Sequence, residues 1–493
     1  MFYTEPLKNL KKHTLKFLHS SPIFVLRGMK VLLGSVFFSS FFSPLFAAEN
    51  PNLNPVLKFF KLGQSEYTTL NPANQLGKEV LDLYSLFAWV GIGVFCVVAL
   101  IFIVVVYRFR ETKHPKAKDL RGNFLLEMFW TTVPIVILIV IAIPTIQIIF
   151  KIAEVPVSSS DGFSLASGKQ KIYPEYLEVN VIGHQWWWEF EYIAIHKWQA
   201  DQNKDTVQSL HRVTSSEAYF PVGVPVKVNL VSEDVIHSFW LPRVMGKTDA
   251  MPGQVNQSTL VFETAGLYKG ECALYCGASH ALMRFNVVVV DQKTFQDWLN
   301  WGSGDMVLTT ESAKRGAVVA QTCVACHTMK GVKDYVPRSE RLEQAKIAYE
   351  ENVKLYEAGE KAYKEKMAQE NKKVWERQMR EDPSMPAIPV KPSQFGGELA
   401  TIGPDLTDIQ FKKFVVSGIK QNTRENLINW IKNPPSIKPE ISGTLTVRMP
   451  AYEHVLDNQS IEDVVEFLST VKYSKSDFVA PVLIPLYPTP NQK

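Results

Sequence analysis

The chain has 493 residues, enough for two or three domains, and its 53 basic against 49 acidic residues leave a formal charge of only +4. So weak and dispersed a balance gives no ground for a nucleic-acid partner. Of five cysteines, four fall in two ligand-like motifs and the fifth, Cys96, sits in an apolar run as a small hydrophobe, which leaves none for a disulfide framework.

Residues 1–48 open with Lys8, Lys11, Lys12, Lys16, Arg27 and Lys30, continue as an apolar run over 31–46 and end at Ala47-Ala48. This pattern reads as a signal peptide, with an uncleaved membrane anchor as the alternative, because Leu45 or Phe46 stands where cleavage favours a small residue. Residues 83–107 and 129–150 are almost continuously apolar and long enough to cross a bilayer. They predict a transmembrane hairpin over 80–152. The connection holds Arg108, Arg110, Lys113, Lys116, Lys118 and Arg121, so the positive-inside rule puts it in the cytoplasm and everything after residue 150 outside.

From 173 to 300 the pattern changes to short alternating runs at 177–182, 226–231, 259–262 and 285–290, separated by Pro221-Val-Gly-Val-Pro225 and Met251-Pro-Gly253. They predict a small antiparallel barrel or sandwich. Within it, Trp186, Trp187 and Trp188 precede Phe190 and Tyr192, an aromatic run of the kind found in cores and docking patches. The segment Cys272-Ala-Leu-Tyr-Cys276-Gly-Ala-Ser-His280-Ala-Leu-Met283 then gathers two thiols, an imidazole and a thioether, with His237 upstream as a fifth donor. Soft ligands of this kind exclude magnesium and calcium. They also exceed what a closed tetrahedral zinc site needs, and bridging thiolates with terminal imidazoles suit a copper pair that passes electrons.

The remaining domain, 310–475, carries Cys323-Val-Ala-Cys326-His327. That spacing supplies two thioether bonds to a c-type haem and its proximal iron ligand, and such haem is attached outside the membrane, in agreement with the loop charges. Two Met-Pro pairs, at Met385 and Met449, compete as the sixth ligand. Residues 338–381 are rich in Lys, Glu, Ala and Gln, with apolar residues at helical intervals and Gly359 near the middle. They predict a helical insertion, one helix or a hairpin, that is either solvated or a docking arm. Ser460-Ile-Glu-Asp463 reads as a capping box opening a final helix over 461–471.

The loop from Cys272 to Met283, with His237, resembles the binuclear copper (CuA) loop of cytochrome c oxidase subunit II. The resemblance covers roughly residues 80–330 and 400–475. It implies Cys272 and Cys276 bridging two coppers, His237 and His280 as terminal ligands, and Met283 and the Leu274 carbonyl as axial ligands. Leu274 departs from the family, where a carboxylate at this place reaches a magnesium. The implied architecture is multidomain: a two-helix transmembrane hairpin, an all-β cupredoxin barrel and an all-α class I-like cytochrome c domain with a helical insertion. In small cytochromes c the distal methionine sits on a loop before the last helix, and Gly403-Pro-Asp-Leu406 followed by Met449-Pro-Ala-Tyr452 is similar to that order, so Met449 is the sixth ligand it implies.

Other roles follow from the same likeness. Trp186 is implied to lie on the surface and take electrons toward copper. Asp234 and Glu189 are candidate docking carboxylates, the default being solvated surface charge. Glu127, in Glu127-Met-Phe-Trp130-Thr-Thr-Val-Pro134, is implied at the entrance of a proton channel, the alternative being a carboxylate at a helix N-terminus. Asp249 is implied in a polar layer facing subunit I, and His184 is a structural histidine. The implied function is electron transfer from a donor, such as a soluble cytochrome c or a quinol-cytochrome c reductase, through haem c and copper to subunit I. Oxygen would there be reduced to water with proton translocation, with subunit III as a further partner, in a bacterial inner membrane. None of the ten histidines lies in either apolar run, so oxygen chemistry belongs to a partner. The alternatives are the electron-accepting subunit of a nitric oxide reductase and a non-catalytic membrane-tethered carrier.

Overall fold

A computed structural model describes residues 67–116, 122–159, 161–165 and 171–341, helical residues scattered between 343 and 361, then 403–438, 449–475 and 478. The expected signal peptide, the insertion beyond 361 and Met385 lie outside the described residues. All described residues belong to one compact unit, Glu66–Lys493.

Two helices come first: α1, Gln75–Arg108, and α2, Phe124–Ile152. At 1.5 Å per residue they run about 51 and 43 Å, longer than a hydrocarbon core of about 30 Å. Their apolar side chains are exposed almost throughout, as lipid-facing surfaces require. Asn74 caps α1 by accepting from Gly77 N at 2.8 Å while donating to the Val261 carbonyl at 2.9 Å. At the far end of α2, the carbonyls of Ile152 and Glu154 accept from Ser258 and Thr259, and Lys151 pairs with Glu79 at 2.7 Å. The outer ends of both helices are thus tied to the domain that follows.

That domain is built of β1 (Val157–Ser159), β2 (Gly162–Ser164), β3 (Glu175–His184), β4 (Trp187–Gln199), β5 (Lys204–Ser215), β6 (Glu217–Pro221), β7 (Val226–Ser232), β8 (His237–Trp240), β9 (Thr248–Ala250), β10 (Asn256–Leu260), β11 (Gly266–Cys272) and β12 (Arg284–Val290). One sheet has the order β10-β7-β3-β4-β5, the other β6-β12-β11-β8-β9. The expected antiparallel pairing holds except at β3–β7 and β6–β12, which are parallel. The strand expected at 259–262 ends at Leu260. Period-2 alternation in β4 drives Trp188, Phe190 and Tyr192 into the core. There Trp188 meets Phe239 edge-on at 5.4 Å and Phe239 stacks on Phe285 at 4.4 Å, contacts worth about 0.5–1.5 kcal/mol each beyond burial. The opposite face of β4 holds Glu189 and Glu191, and it too is buried, because later parts of the chain cover it.

Helix α3, Gln292–Asn300, capped by Asp291, closes the sandwich with Phe295 and Trp298. A second core then forms from α4 (Glu311–Val319), α5 (Arg424–Lys432) and α6 (Asn458–Thr470). Helix α6 begins earlier than the expected capping box. Asp457, not Ser460, is its N-cap, accepting from Ser460 N at 2.7 Å. Asp463 instead reaches back to α4, where Arg315 Nε and Nη2 donate at 2.7 and 2.8 Å. Every described residue from 338 to 361 is helical.

Candidate metal centre and the adjoining cavity

Strand β8 begins at His237 and β11 ends at Cys272, and the two strands pair through Cys272 and Phe239. The loop that follows turns back into β12, whose entrance is fixed by the Cys272 N–H donating to the Met283 carbonyl at 3.0 Å. All donors therefore meet at one end of the sandwich. Cys272 Sγ lies 3.8 Å from Cys276 Sγ and 3.9 Å from His237 Nδ1. Cys276 Sγ lies 3.5 Å from His280 Nδ1 and 3.8 Å from Met283 Sδ. The Leu274 carbonyl faces the centre, 3.2 Å from Cys272 Sγ, while its side chain is exposed. His237 and Met283 are fully buried, and both cysteines nearly so.

The electrostatics divide the donors, with only Cys272 pushed toward the deprotonated form that a metal takes. The hydrogen bond from Cys276 holds the Cys272 thiol far below its ordinary value, and the same contact pushes Cys276 up. Burial works against a charged His237, yet its bonds to Asp234 and Cys272 raise it. Asp234 Oδ1 lies 2.8 Å from His237 Nε2, which turns Nδ1 toward the sulfurs. This carboxylate–histidine arrangement is how metal sites orient an imidazole. Sequence reading placed Asp234 only as a docking charge, although a carboxylate three residues before a ligand histidine at a strand start was the available signal.

Trp186 and Gln185 touch the same loop, donating from Nε1 at 3.1 Å and from Nε2 at 2.7 Å to the Cys276 carbonyl. Gly277 allows that approach: its φ is +118°, and a Cβ there would lie 3.0 Å from the Trp186 ring. The expectation that Trp186 is a surface residue is corrected, since it is only 5% exposed. Its carbonyl accepts from Ser417 Oγ at 2.9 Å and Lys438 Nζ at 2.7 Å, so the C-terminal domain covers it. Glu189 is likewise no surface docking charge. At 2% exposure burial pushes its carboxyl up, but His184, Arg341 and Tyr335 prevail and hold it at about 2. His184 lies apart from the sulfurs, stacked on Trp187 at 4.1 Å. Its Nε2 is 3.4 Å from Glu189, near enough for an ion pair but too poorly aligned for a hydrogen bond.

Beside the loop lies a mostly apolar cavity whose lining includes Cys323, Cys326, His327, Met449, Trp186 and Ser279. His327 Nδ1 bonds the Pro404 carbonyl at 2.7 Å, leaving Nε2 for the cavity. Burial keeps this imidazole below its usual value, overriding the Pro404 bond, so it stays a neutral donor. Gly403 closes over it, where a Cβ would come within 2.7 Å of the ring. Elsewhere, Glu127 sits exposed in the first turn of α2 behind the Asn123 cap, and Asp249 lies in β9 opposite Ser238.

Comparison with known proteins agrees with the two apolar helices and the β domain. The family description "Cytochrome C oxidase subunit II, periplasmic domain" matches residues 177–291, and "Cytochrome C oxidase subunit II, transmembrane domain" matches 72–148. Among relatives, cytochrome c oxidase subunit 2 of Alkalihalophilus pseudofirmus is 26% identical over 416 residues, covering 83% of this chain and 92% of that protein. The subunit 2 of Bacillus subtilis is 28% identical over 401 residues, 78% of this chain and 87% of that one. That of Apis mellifera ligustica is 30% identical over 183 residues, 36% of this chain and 72% of its own length. The two apolar helices and the β domain fit a membrane-anchored protein with a periplasmic copper-site domain. The chain belongs to the cytochrome c oxidase subunit II family.

Proposed function

We propose that the chain is subunit II of a respiratory haem-copper oxidase with a cytochrome c domain fused at its C-terminus, carrying electrons from a donor to subunit I. Subunit II membership implies association with subunit I in a membrane complex. The observation that carries the reading is the convergence of His237, His280 and Met283 on two cysteine sulfurs 3.8 Å apart, beside a cavity bordered by Cys323, Cys326 and His327.

The donor set fits copper. Two thiolates able to bridge, two imidazoles and a weak thioether match soft-metal preference, and Cys272, Cys276, His237, His280, Met283 and the Leu274 carbonyl would hold the pair. The cavity fits haem c, with Cys323 and Cys326 as thioether partners, His327 and Met449 as axial ligands, and Gly403 leaving room against the imidazole. When bound, the two groups supply one-electron chemistry. The residues of the chain do the rest. Rigid strands limit movement of the donors, Asp234 orients His237, and Trp186 lies between cavity and copper loop as the route electrons would take. The relative from Alkalihalophilus pseudofirmus, matched over 83% of this chain, extends past residue 291, where the family models stop, which supports a C-terminal domain shared with such subunits.

The domains are then 80–152, 173–300 and 310–475, with both metal domains outside a bacterial inner membrane and the 338–381 insertion within the last. Glu127 would mark a proton-channel entrance, oxygen reduction and most proton translocation would belong to subunit I, and subunit III and a soluble cytochrome c or quinol-cytochrome c reductase would be further partners. Tagging the chain at its C-terminus tests this. The expected result is co-purification of a subunit I with oxygen consumption, and covalent haem on this chain that Cys323→Ser with Cys326→Ser abolishes. Co-purification of a nitric oxide-reducing subunit, or no catalytic subunit, would overturn it.

A further inference from the structure

The stretch leaving the haem motif does not run into solvent. Lys333 Nζ donates back to the Val324 carbonyl at 2.9 Å, and Met329 bridges to Lys333, so Cys323–His327 and the following turn form one piece. The chain then lies across the copper domain. Tyr335 Oη donates to Glu189 at 2.6 Å and Arg341 Nη2 to the same carboxylate at 2.9 Å. Arg338 Nε donates to Glu233 at 2.6 Å, and its backbone N–H to Glu191 at 2.9 Å. These are buried pairs: Glu189 and Glu233 side chains are 2% and 4% exposed, those of Arg341 and Arg338 11% and 16%. All three carboxylates belong to segments that position the copper site. Glu189 and Glu191 follow the Trp186 turn in β4, and Glu233 adjoins Asp234, the partner of His237.

We propose that Tyr335, Arg338 and Arg341 form a clasp that locks the haem domain onto the copper domain in one orientation. They are positioning residues for transfer between the two centres, Tyr335 just ahead of the insertion and Arg338 and Arg341 in its first turn. The chain is thereby not a tethered carrier that swings. The cavity beside Trp186 keeps its relation to the copper loop because ions buried at low exposure escape screening by salt, and removing one partner of such a pair shifts a docked-to-open ratio on the order of a hundredfold or more. Contacts from residues 412–438, such as Lys412 Nζ to the Ser215 carbonyl at 3.0 Å, are a separate attachment, so cutting the clasp loosens the orientation of the haem domain and leaves it tethered at that end.

The functional consequence rests on the two-centre reading above; the clasp itself does not. In the full-length chain, Arg338→Ala with Arg341→Ala is expected to speed amide hydrogen exchange over residues 186–191 and 233–237. Haem-to-copper electron transfer should slow about tenfold or more and become sensitive to viscosity and salt, while both centres keep their potentials and spectra. The reversed pair Arg338→Glu with Glu233→Arg should restore protection and rate together. Exchange unchanged in the double variant overturns the clasp whether or not haem is bound, and so does a slowed rate that stays independent of viscosity. A wild-type chain lacking covalent haem ends the two-centre reading and leaves the exchange test standing.

Discussion

Replacing Asp234 by Asn tests how far the copper site depends on a residue that is not itself a donor. The Asp234 carboxylate accepts from Gln185 N and Val235 N, each at 2.6 Å, and meets His237 Nε2 at 2.8 Å. Burial pushes this carboxyl up, but the His237 contact outweighs it and keeps Asp234 ionised. An amide has one acceptor oxygen. If that oxygen stays with His237 and Val235, the new NH₂ opposes the Gln185 N–H; if it turns, His237 loses its partner. Either way one bond to a charged group is lost, worth about 1.5–3 kcal/mol. Loss of a partner behind a metal-bound histidine costs about tenfold to hundredfold in affinity, about 1.4–2.8 kcal/mol, so the two routes agree. Chelator competition at neutral pH on the full-length chain measures it, with the copper EPR spectrum read alongside. Unchanged affinity and spectrum would refute the argument that Asp234 fixes the His237 ring.

Other expectations are equally direct. Glu217 is fully buried beneath Lys413 N at 2.9 Å, and burial outweighs those bonds to push its carboxyl up from 4.5 to about 7. A raised carboxyl favours the folded state when protonated, so its contribution is whole below 4.5 and lost as pH climbs through 7, a swing of about 3 kcal/mol. Thermal melts of the wild type should fall across that window more steeply than those of Glu217→Gln, in which the buried Asp405 carboxyl, raised to about 6 mainly by burial, still contributes a decline. Gly277→Ala forces a Cβ into a φ of +118° and against Trp186, which should cost about 1–3 kcal/mol and shift tryptophan fluorescence; a neutral melt with native fluorescence would contradict it. Phe285→Ala removes a ring stacked on Phe239 and should destabilise the β domain by about 3–5 kcal/mol in denaturant. Met449→Ala should retain covalent haem but lose its low-spin spectrum, whereas an unchanged spectrum would assign the sixth position elsewhere.

The sequence made the metal centre legible because four of its donors share one short loop, and only His237 had to be brought in from another strand. The hairpin was legible for a similar local reason: hydrophobicity and flanking charge need no tertiary information. What failed was whatever depended on distant cover. Trp186 looked like a surface aromatic, yet Ser417 and Lys438, more than two hundred residues later, lie over it. Glu189 looked like a solvated charge for want of Arg341, 152 residues away. The misplaced start of α6 is a local error with a tertiary cause. Ser460 was read as the cap with Asp463 closing its box, but Asp463 is committed to Arg315 on α4, and Asp457 fills the capping role instead.

Metal analysis with optical and EPR spectroscopy of the purified complex bears most directly on the central claim. Two coppers per copy of this chain with the signal of an electron-sharing pair, together with one c-type haem covalently bound to it, is the predicted outcome. Fewer than two coppers in the chain would contradict it.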